Sequence, residues 1–498
     1  MKNAFKTGAA LSLVLAAAIP AHASEVRDTA ADAQVYVERI EALDDAGPDL
    51  NAVIVHDPEA ADRAAELRGQ GLLGGRTVLV KDNIETREWP TTAGSLALAD
   101  NATGRDAPLI ANLRAAGGVV LGKANLSEWA NIRSNNSTSG WSAVGGLTRN
   151  PHAIDRNTCG SSSGSGAAVA ASLAWAAIGT ETDGSITCPA SANGVVGFKP
   201  TVGLVSRTHV VPISISQDTA GPMARSVQDA ALLLSAMAGS DPADAATREA
   251  DANLAPYHTG LAAASLQGVR IGVMVDRIGP RGDLREVFEH ALADLRNAGA
   301  ELVEIEYNPP SEMGRDEFTV LLYELREGMD AYLQSLPGEG LPRSLADLVR
   351  FNLENAQSEM RWFGQELFEQ ALEATDENAY RAARENALHL AGERGIDRLM
   401  AEHDVAILVA PTRGPIWVSD LVNGDNFTGG IGIGSVAAVA GYPHLTVPMG
   451  HIERLPVGIS FIAGKWQDHD VLKTGAAYEK ARTAELPEPS FKRWSPAE

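Results

Sequence analysis

At 498 residues, 45% of them hydrophobic, the chain can bury one large core or two ordinary ones, which excludes a disordered protein. Its 64 acidic residues outnumber 41 basic ones for a net charge of −23, a balance that argues against nucleic acid as a partner. With only Cys159 and Cys188 a disulfide scaffold is excluded; one bridge is chemically possible in an oxidising compartment, but the pair reads better as two unpaired, buried small residues.

Lys2 and Lys6 precede an apolar run, Ala9 to Ile19, that ends in Ala21-His22-Ala23. A charged start, a short apolar stretch and an Ala-x-Ala ending predict a secretory signal peptide over 1–23, a mature start at Ser24 and a periplasmic or secreted protein. No later run reaches transmembrane length, so no membrane partner is expected after cleavage. Residues 24–68 carry helical spacing, as in Ala60-Ala61-Asp62-Arg63-Ala64-Ala65-Glu66-Leu67, and read as an N-terminal helical segment ahead of a main domain over 69–498.

The core is expected to begin near Gly75, where β-branched runs such as Thr77-Val78-Leu79-Val80 and Val119-Val120-Leu121 alternate with Ala-rich helical stretches, the pattern of an α/β fold. One unit is explicit. A strand from Val269 to Val275 leads to a helix with Leu284, Val287, Phe288, Ala291 and Leu295 on one face, then to the strand Leu302-Val303-Glu304-Ile305. Such a crossover predicts parallel strands with right-handed connectivity. Residues from about 311 to 403 are charge-rich with no strand run and predict a helical insertion. Its aromatics Phe351, Trp362, Phe363 and Phe368 either line a cleft or, better supported residue by residue, pack the insertion. Strands return at Val405 to Val409 and Leu445-Thr446-Val447.

Chemistry concentrates in two Gly/Ser loops. Cys159-Gly160-Ser161-Ser162-Ser163-Gly164-Ser165-Gly166 feeds an Ala-rich helix, and such a loop offers N–H groups and hydroxyls at the positive end of that helix. Farther on, Gly179-Thr180-Glu181-Thr182-Asp183-Gly184-Ser185-Ile186 is a small-residue turn that again ends in serine. Ser162 also fits a Gly-x-Ser-x-Gly nucleophile elbow, but the loop-like residues 150–157 stand where that motif needs a strand. A Ser-His-Asp triad needs one of 11 histidines, of which His444 is the nearest to a candidate. Gly117 to Lys123 imitates the start of a phosphate-binding loop, yet Ala124 follows where Ser or Thr is required. No pair of histidines has metal-ligand spacing, so no metal is expected.

Together with Lys81 in Val78-Leu79-Val80-Lys81-Asp82-Asn83, these two loops resemble the amidase signature family, as do Gly221-Pro222-Met223-Ala224-Arg225 and Leu455-Pro456-Val457-Gly458. The resemblance runs from about residue 69 to the C-terminus. It implies an amidase-signature fold: a large mixed, mostly parallel twisted sheet covered by helices on both faces. It also implies a serine amidase without a cofactor, in which Ser185 is the nucleophile, Ser161 the bridge, Lys81 the base, and the peptide bond before Ser161 is cis. The backbone N–H groups of Thr182, Asp183, Gly184 and Ser185 match the family's oxyanion hole. Lys81 can act as a base only if burial pulls down its pKa, so Asp82 must point elsewhere.

Departures bear on substrate. Cys159, Ser163 and Asp183 stand where most members carry glycine, Glu181 where aspartate is usual, and Thr187 where arginine is common. Glu181 to Ile186 with Cys188-Pro189, the run Gly122 to Asn131, and Ser216-Gln217-Asp218-Thr219-Ala220-Gly221-Pro222-Met223 look most like bacterial peptide amidases. That likeness implies a short peptide amide as substrate. The alternatives are a broad amidase for fatty or aryl amides and, from another class, a tRNA-dependent amidotransferase subunit, which export and acidity disfavour.

Overall fold

Eleven short strands rich in Val, Ile and Ala supply the frame of the computed structural model, which describes residues 28–496. In chain order they are β1 (Val53–His56), β2 (Thr77–Lys81), β3 (Val119–Ala124), β4 (Ala176–Glu181), β5 (Val196–Lys199), β6 (Thr219–Ala224), β7 (Arg270–Met274), β8 (Glu301–Ile305), β9 (Ile407–Pro411), β10 (His444–Ile452) and β11 (Leu455–Ile462). They form one sheet in the order β1-β3-β2-β4-β6-β5-β10-β11-β9-β7-β8. Parallel pairing occurs in two blocks, β3-β2-β4 and β9-β7-β8, and the strands between and outside the blocks pair antiparallel. The predicted crossover is present: β7, the helix Gly282–Asn297 and β8, with β7 and β8 parallel.

Alternation along the strands feeds two cores. Ile407 and Val409 of β9 join the larger core, with Phe288 and Leu295 of the helix Gly282–Asn297 and Val471 and Leu472 of the helix Asp468–Ala481. Leu408 and Ala410 join the other, with Ala387 and Ala391 of the helix Glu377–Ala391 and Val436 and Ala437 of the helix Gly434–Ala440. Adjacent residues of a strand face opposite sides of a sheet, so helices cover both faces.

Residues 311–403 are helical, beginning with the helix Ser311–Ser335. This stretch docks next to the site through a third apolar cluster that joins Leu325, Leu333, Leu348 and Phe368 to Ala93, Leu98 and Trp129. Phe368 packs edge-on against Trp129 and Phe363 against Trp141, so these aromatics fasten the insertion to the segment after β3.

The N-terminal segment departs from the all-helical expectation for 24–68. Between the helices Thr29–Arg39 and Ala60–Glu66 lies β1, antiparallel to β3 at the sheet's edge. Its entry is fixed by the buried Asp44 carboxylate, which accepts from Ala52 N (2.7 Å) and Val53 N (2.9 Å). The core reaches back to Ala33 in the helix Thr29–Arg39, well ahead of the expected start near Gly75. Among the described residues no helix is long and apolar enough to cross a membrane. The predicted signal peptide, 1–23, lies outside the described residues.

Candidate active site

Lys81 ends β2, and β4 beside it ends at Glu181, so the parallel block carries both chain segments to the same edge of the sheet. Ser161 precedes the helix Ser163–Ala170, and a cis peptide bond joins it to Gly160. Glycine is required at 160: a Cβ there would meet Ser127 Oγ at 2.2 Å. The two serine loops are tied directly, Ser162 N donating to the Ser185 carbonyl at 3.1 Å.

The Lys81 ammonium donates to Ser161 Oγ (2.7 Å), to Thr180 Oγ1 (2.8 Å) and to the Thr180 carbonyl (3.3 Å). Lys81 has no exposed surface, and desolvation pulls its pKa from 10.5 to about 7, against the opposing pull of the Asp218 and Glu181 carboxylates. Asp82 does turn away, to Lys123 (3.1 Å) and Thr92. Ser161, Ser185 and Thr182 line one pocket. The Ser185 hydroxyl has no hydrogen-bond partner among the described residues, so the link from Ser161 to Ser185 is left open.

The turn between β4 and Ser185 is held from behind. Glu181 Oε2 accepts from Ile186 N (2.7 Å) and Thr187 N (3.0 Å), and Thr182 Oγ1 donates to Asp218 Oδ1 (2.5 Å). Asp218 Oδ2 in turn accepts from Ile213 N and Ser214 N. Gly184 takes φ +80°, a left-handed conformation that favours glycine. Among the described residues, no protein acceptor takes the N–H of Thr182, Asp183, Gly184 or Ser185. Asp183 reaches solvent, yet the protein packed around it and Glu181 push its pKa to about 6, while Ser435, Arg413 and Lys199 oppose.

The other sequence candidates have different employment. Ser162 is buried, its hydroxyl donating to the Thr180 carbonyl (3.1 Å) and accepting from Thr180 N, with no strand leading directly into its loop. His444 is buried against Ser460 Oγ (2.6 Å), and desolvation and Lys199 lower its pKa to about 3. Phe351, Trp362, Phe363 and Phe368 do not line the pocket with the two serines. One expectation is overturned: Cys159 and Cys188 are joined by a disulfide, with a Cα–Cα distance of 5.9 Å. The tie between Ser162 and Ser185 brings the two loops together and with them the flanking cysteines. Sequence reasoning missed Thr180, Asp218 and Gln217, whose Nε2 donates to the Thr182 carbonyl (3.3 Å). Asp218 and Gln217 sit in the run Ser216 to Met223, which resembles peptide amidases, but nothing local assigns them a task.

A family model described as Amidase matches residues 33–472. The chain belongs to the amidase signature family. The amidase is similar to the native peptide amidase of Stenotrophomonas maltophilia, a solved structure at 47% identity and TM-score 0.86, the match covering 93% of this chain and 96% of that one. A probable amidase of Arabidopsis thaliana is 37% identical over 92% of this chain and 87% of its own length. A putative amidase of Schizosaccharomyces pombe (strain 972 / ATCC 24843) is 34% identical over 87% and 79%. The protein is thus a hydrolase of carbon–nitrogen bonds with the amidase-signature sheet.

Proposed function

We propose that this amidase removes the C-terminal carboxamide of short peptides, releasing the free acid and ammonia, through an acyl-enzyme on Ser185. The observation that carries the mechanism is the Lys81 Nζ to Ser161 Oγ contact of 2.7 Å inside a site with no exposure at either residue. A serine hydroxyl is a weak nucleophile until a base takes its proton. With a pKa near 7, neutral Lys81 can accept the Ser161 proton while Ser161 takes that of Ser185. Rotation about the Ser185 Cα–Cβ bond would close the open link; apo sites commonly tighten only with substrate.

Attack on the carboxamide carbon places negative charge on its oxygen. The unpartnered N–H groups from Thr182 to Ser185 are the donors available to it, each worth about 3 kcal/mol in the transition state. Collapse returns the proton along the relay to nitrogen, ammonia leaves, and water repeats the sequence on the acyl ester.

Substrate choice rests on the 47% identity to a peptide amidase and on access. A fully buried base and relay serve a closed, water-poor site, which a chain end enters more readily than the middle of a folded polypeptide. The fatty or aryl amide reading loses its main support, because none of Phe351, Trp362, Phe363 and Phe368 lines the serine pocket, and Phe363 and Phe368 pack on Trp141 and Trp129. The amidotransferase reading sits poorly with a net charge of −23. A dipeptide amide and an acyl anilide of similar size, compared by kcat/KM, test the assignment. A preference for the dipeptide amide of at least about tenfold is expected; preference for the anilide, or internal cleavage of an end-blocked peptide, would overturn it. Export by a signal peptide at 1–23 completes the proposal, with the enzyme acting in the periplasm or outside the cell.

A further inference from the structure

The stretch from Gly117 to Lys123 that imitates a phosphate loop has another use. Lys123 lies in β3 opposite Val80, one register position before Lys81 meets Ala124. Directly opposed residues of a parallel pair leave the sheet on one face and successive residues alternate. Lys123 therefore departs on the side of Asp82, not of Lys81.

There Lys123 and Asp82 form an ion pair of 3.1 Å, each side chain only 1% exposed. Lys123 also donates to the Ile84 carbonyl (2.7 Å) and Thr91 Oγ1 (2.8 Å). The second Asp82 oxygen accepts from the backbone N–H of Thr92 (3.2 Å) and from its hydroxyl. From this cluster the Asp82 carbonyl holds Ala93 N (2.8 Å) and the Ala93 carbonyl holds Trp129 N (2.8 Å). Ala130, the next residue, lines the pocket with Ser161 and Ser185.

We propose that Lys123 is a positioning residue for the reaction: its ammonium cancels the charge of Asp82, the carboxylate adjoining the base, and fixes the turn on which the pocket wall rests. The inference rests on Lys81 as the base. Two carboxylates already face Lys81, Glu181 from the end of β4 and Asp218 from ahead of β6, and both favour its charged form. Paired with Lys123, Asp82 is not among the charges that shift Lys81; left uncompensated it would add to them, on the scale of about one pH unit for a nearby unscreened charge. Lys123 itself faces Glu85 and Glu88 besides Asp82, so removing Asp82 does not leave it without counter-charge. Replacing both partners with neutral groups of similar shape removes the charge effect in either direction.

The acid limb of the kcat/KM profile reads this directly in Asp82→Asn, Lys123→Met, the double variant and Lys81→Ala. Lys123→Met should move the limb up by about one pH unit and Asp82→Asn down by a similar amount, with the double variant within a few tenths of wild type. Displacement of both single variants in one direction, or of neither, would overturn the role of Lys123, because a merely structural pair lowers the rate without moving the limb oppositely. Should an unpaired charge prevent either single variant from folding, the double variant still decides: a limb displaced by more than about half a unit sinks the inference. In Lys81→Ala the limb should vanish. If it persists there the base assignment fails, whereas a limb that vanishes there and ignores both charge changes removes only Lys123 from the mechanism.

Discussion

A lysine stripped of water is destabilising in its charged form, and Lys81 is such a residue. Its folded pKa, about 7, lies below the unfolded value near 10.5, so between these limits the unfolded chain holds one proton more than the folded one. Stability contributed at this position therefore rises with pH across that window, and the penalty is fully present below pH 7. Lys81→Met should be inactive yet more stable than wild type at about pH 6.5, by on the order of 1–3 kcal/mol after the lost hydrogen bonds are discounted, with the gap closing toward about pH 10. Urea unfolding at the two pH values checks this, and a variant less stable at both would show that the hydrogen bonds outweigh desolvation. In wild type, kcat/KM should climb through a midpoint near pH 7 as Lys81 loses its proton. Lys81, Ser161 and Ser185 stood out in the sequence as candidates because each lies in a contiguous motif. Asp218 and Thr180 were not: Asp218 reaches Thr182 only because Glu181 pairs with Thr219 across an antiparallel ladder, and no spacing along the chain reports that contact.

The same division holds for elements. β7, its helix and β8 could be read because strand period, helix period and a short connection follow one another within 36 residues, from Arg270 to Ile305. β1 could not, since four residues at a sheet edge carry too little pattern, and the antiparallel order of β4, β6 and β5 depends on long-range pairing. The disulfide was misjudged for a related reason. Cys159 lies two residues before Ser161 and Cys188 three after Ser185, so whether the sulfurs meet depends on how the two loops fold together. Once formed, the bond clamps the loop of Ser161 to the helix Thr187–Ala192 that follows Ser185. Closing a loop of 29 residues contributes about 3.6 kcal/mol in the chain-entropy account. Cys159→Ala/Cys188→Ala should lower the melting temperature by a few degrees and reduce kcat more than it changes KM, because in the proposed mechanism the clamp sets the distance between the Ser161 and Ser185 hydroxyls rather than the substrate pocket. Calorimetry and steady-state kinetics on the double variant separate the two effects; an unaltered kcat beside a lowered melting temperature would confine the clamp to stability.

At the scale of the whole molecule, the bond between Cys159 and Cys188 and the pattern of the first 23 residues support the proposed export to an oxidising compartment. Removing 1–23 takes away Lys2 and Lys6 and no acid, so the mature chain is more acidic than the −23 of the full sequence. Disulfides persist where thiols are not continually reduced, in the periplasm or outside the cell, and this one flanks Ser161 and Ser185, so the proposed activity would depend on such surroundings. In the proposed export, the Ala-x-Ala ending at Ala21-His22-Ala23 would set the cleavage point. It leaves a short polar lead before Asp28, whose carboxylate accepts from Ala31 N and caps the helix Thr29–Arg39. The mature N-terminus should accordingly be Ser24. N-terminal sequencing of the exported protein, with parallel thiol counting on the native and reduced enzyme, checks both parts of the argument. The expected result is a chain that begins at Ser24 with no free thiol; a cytoplasmic enzyme that keeps Met1 and shows two free thiols at full activity would overturn the assignment to an oxidising compartment.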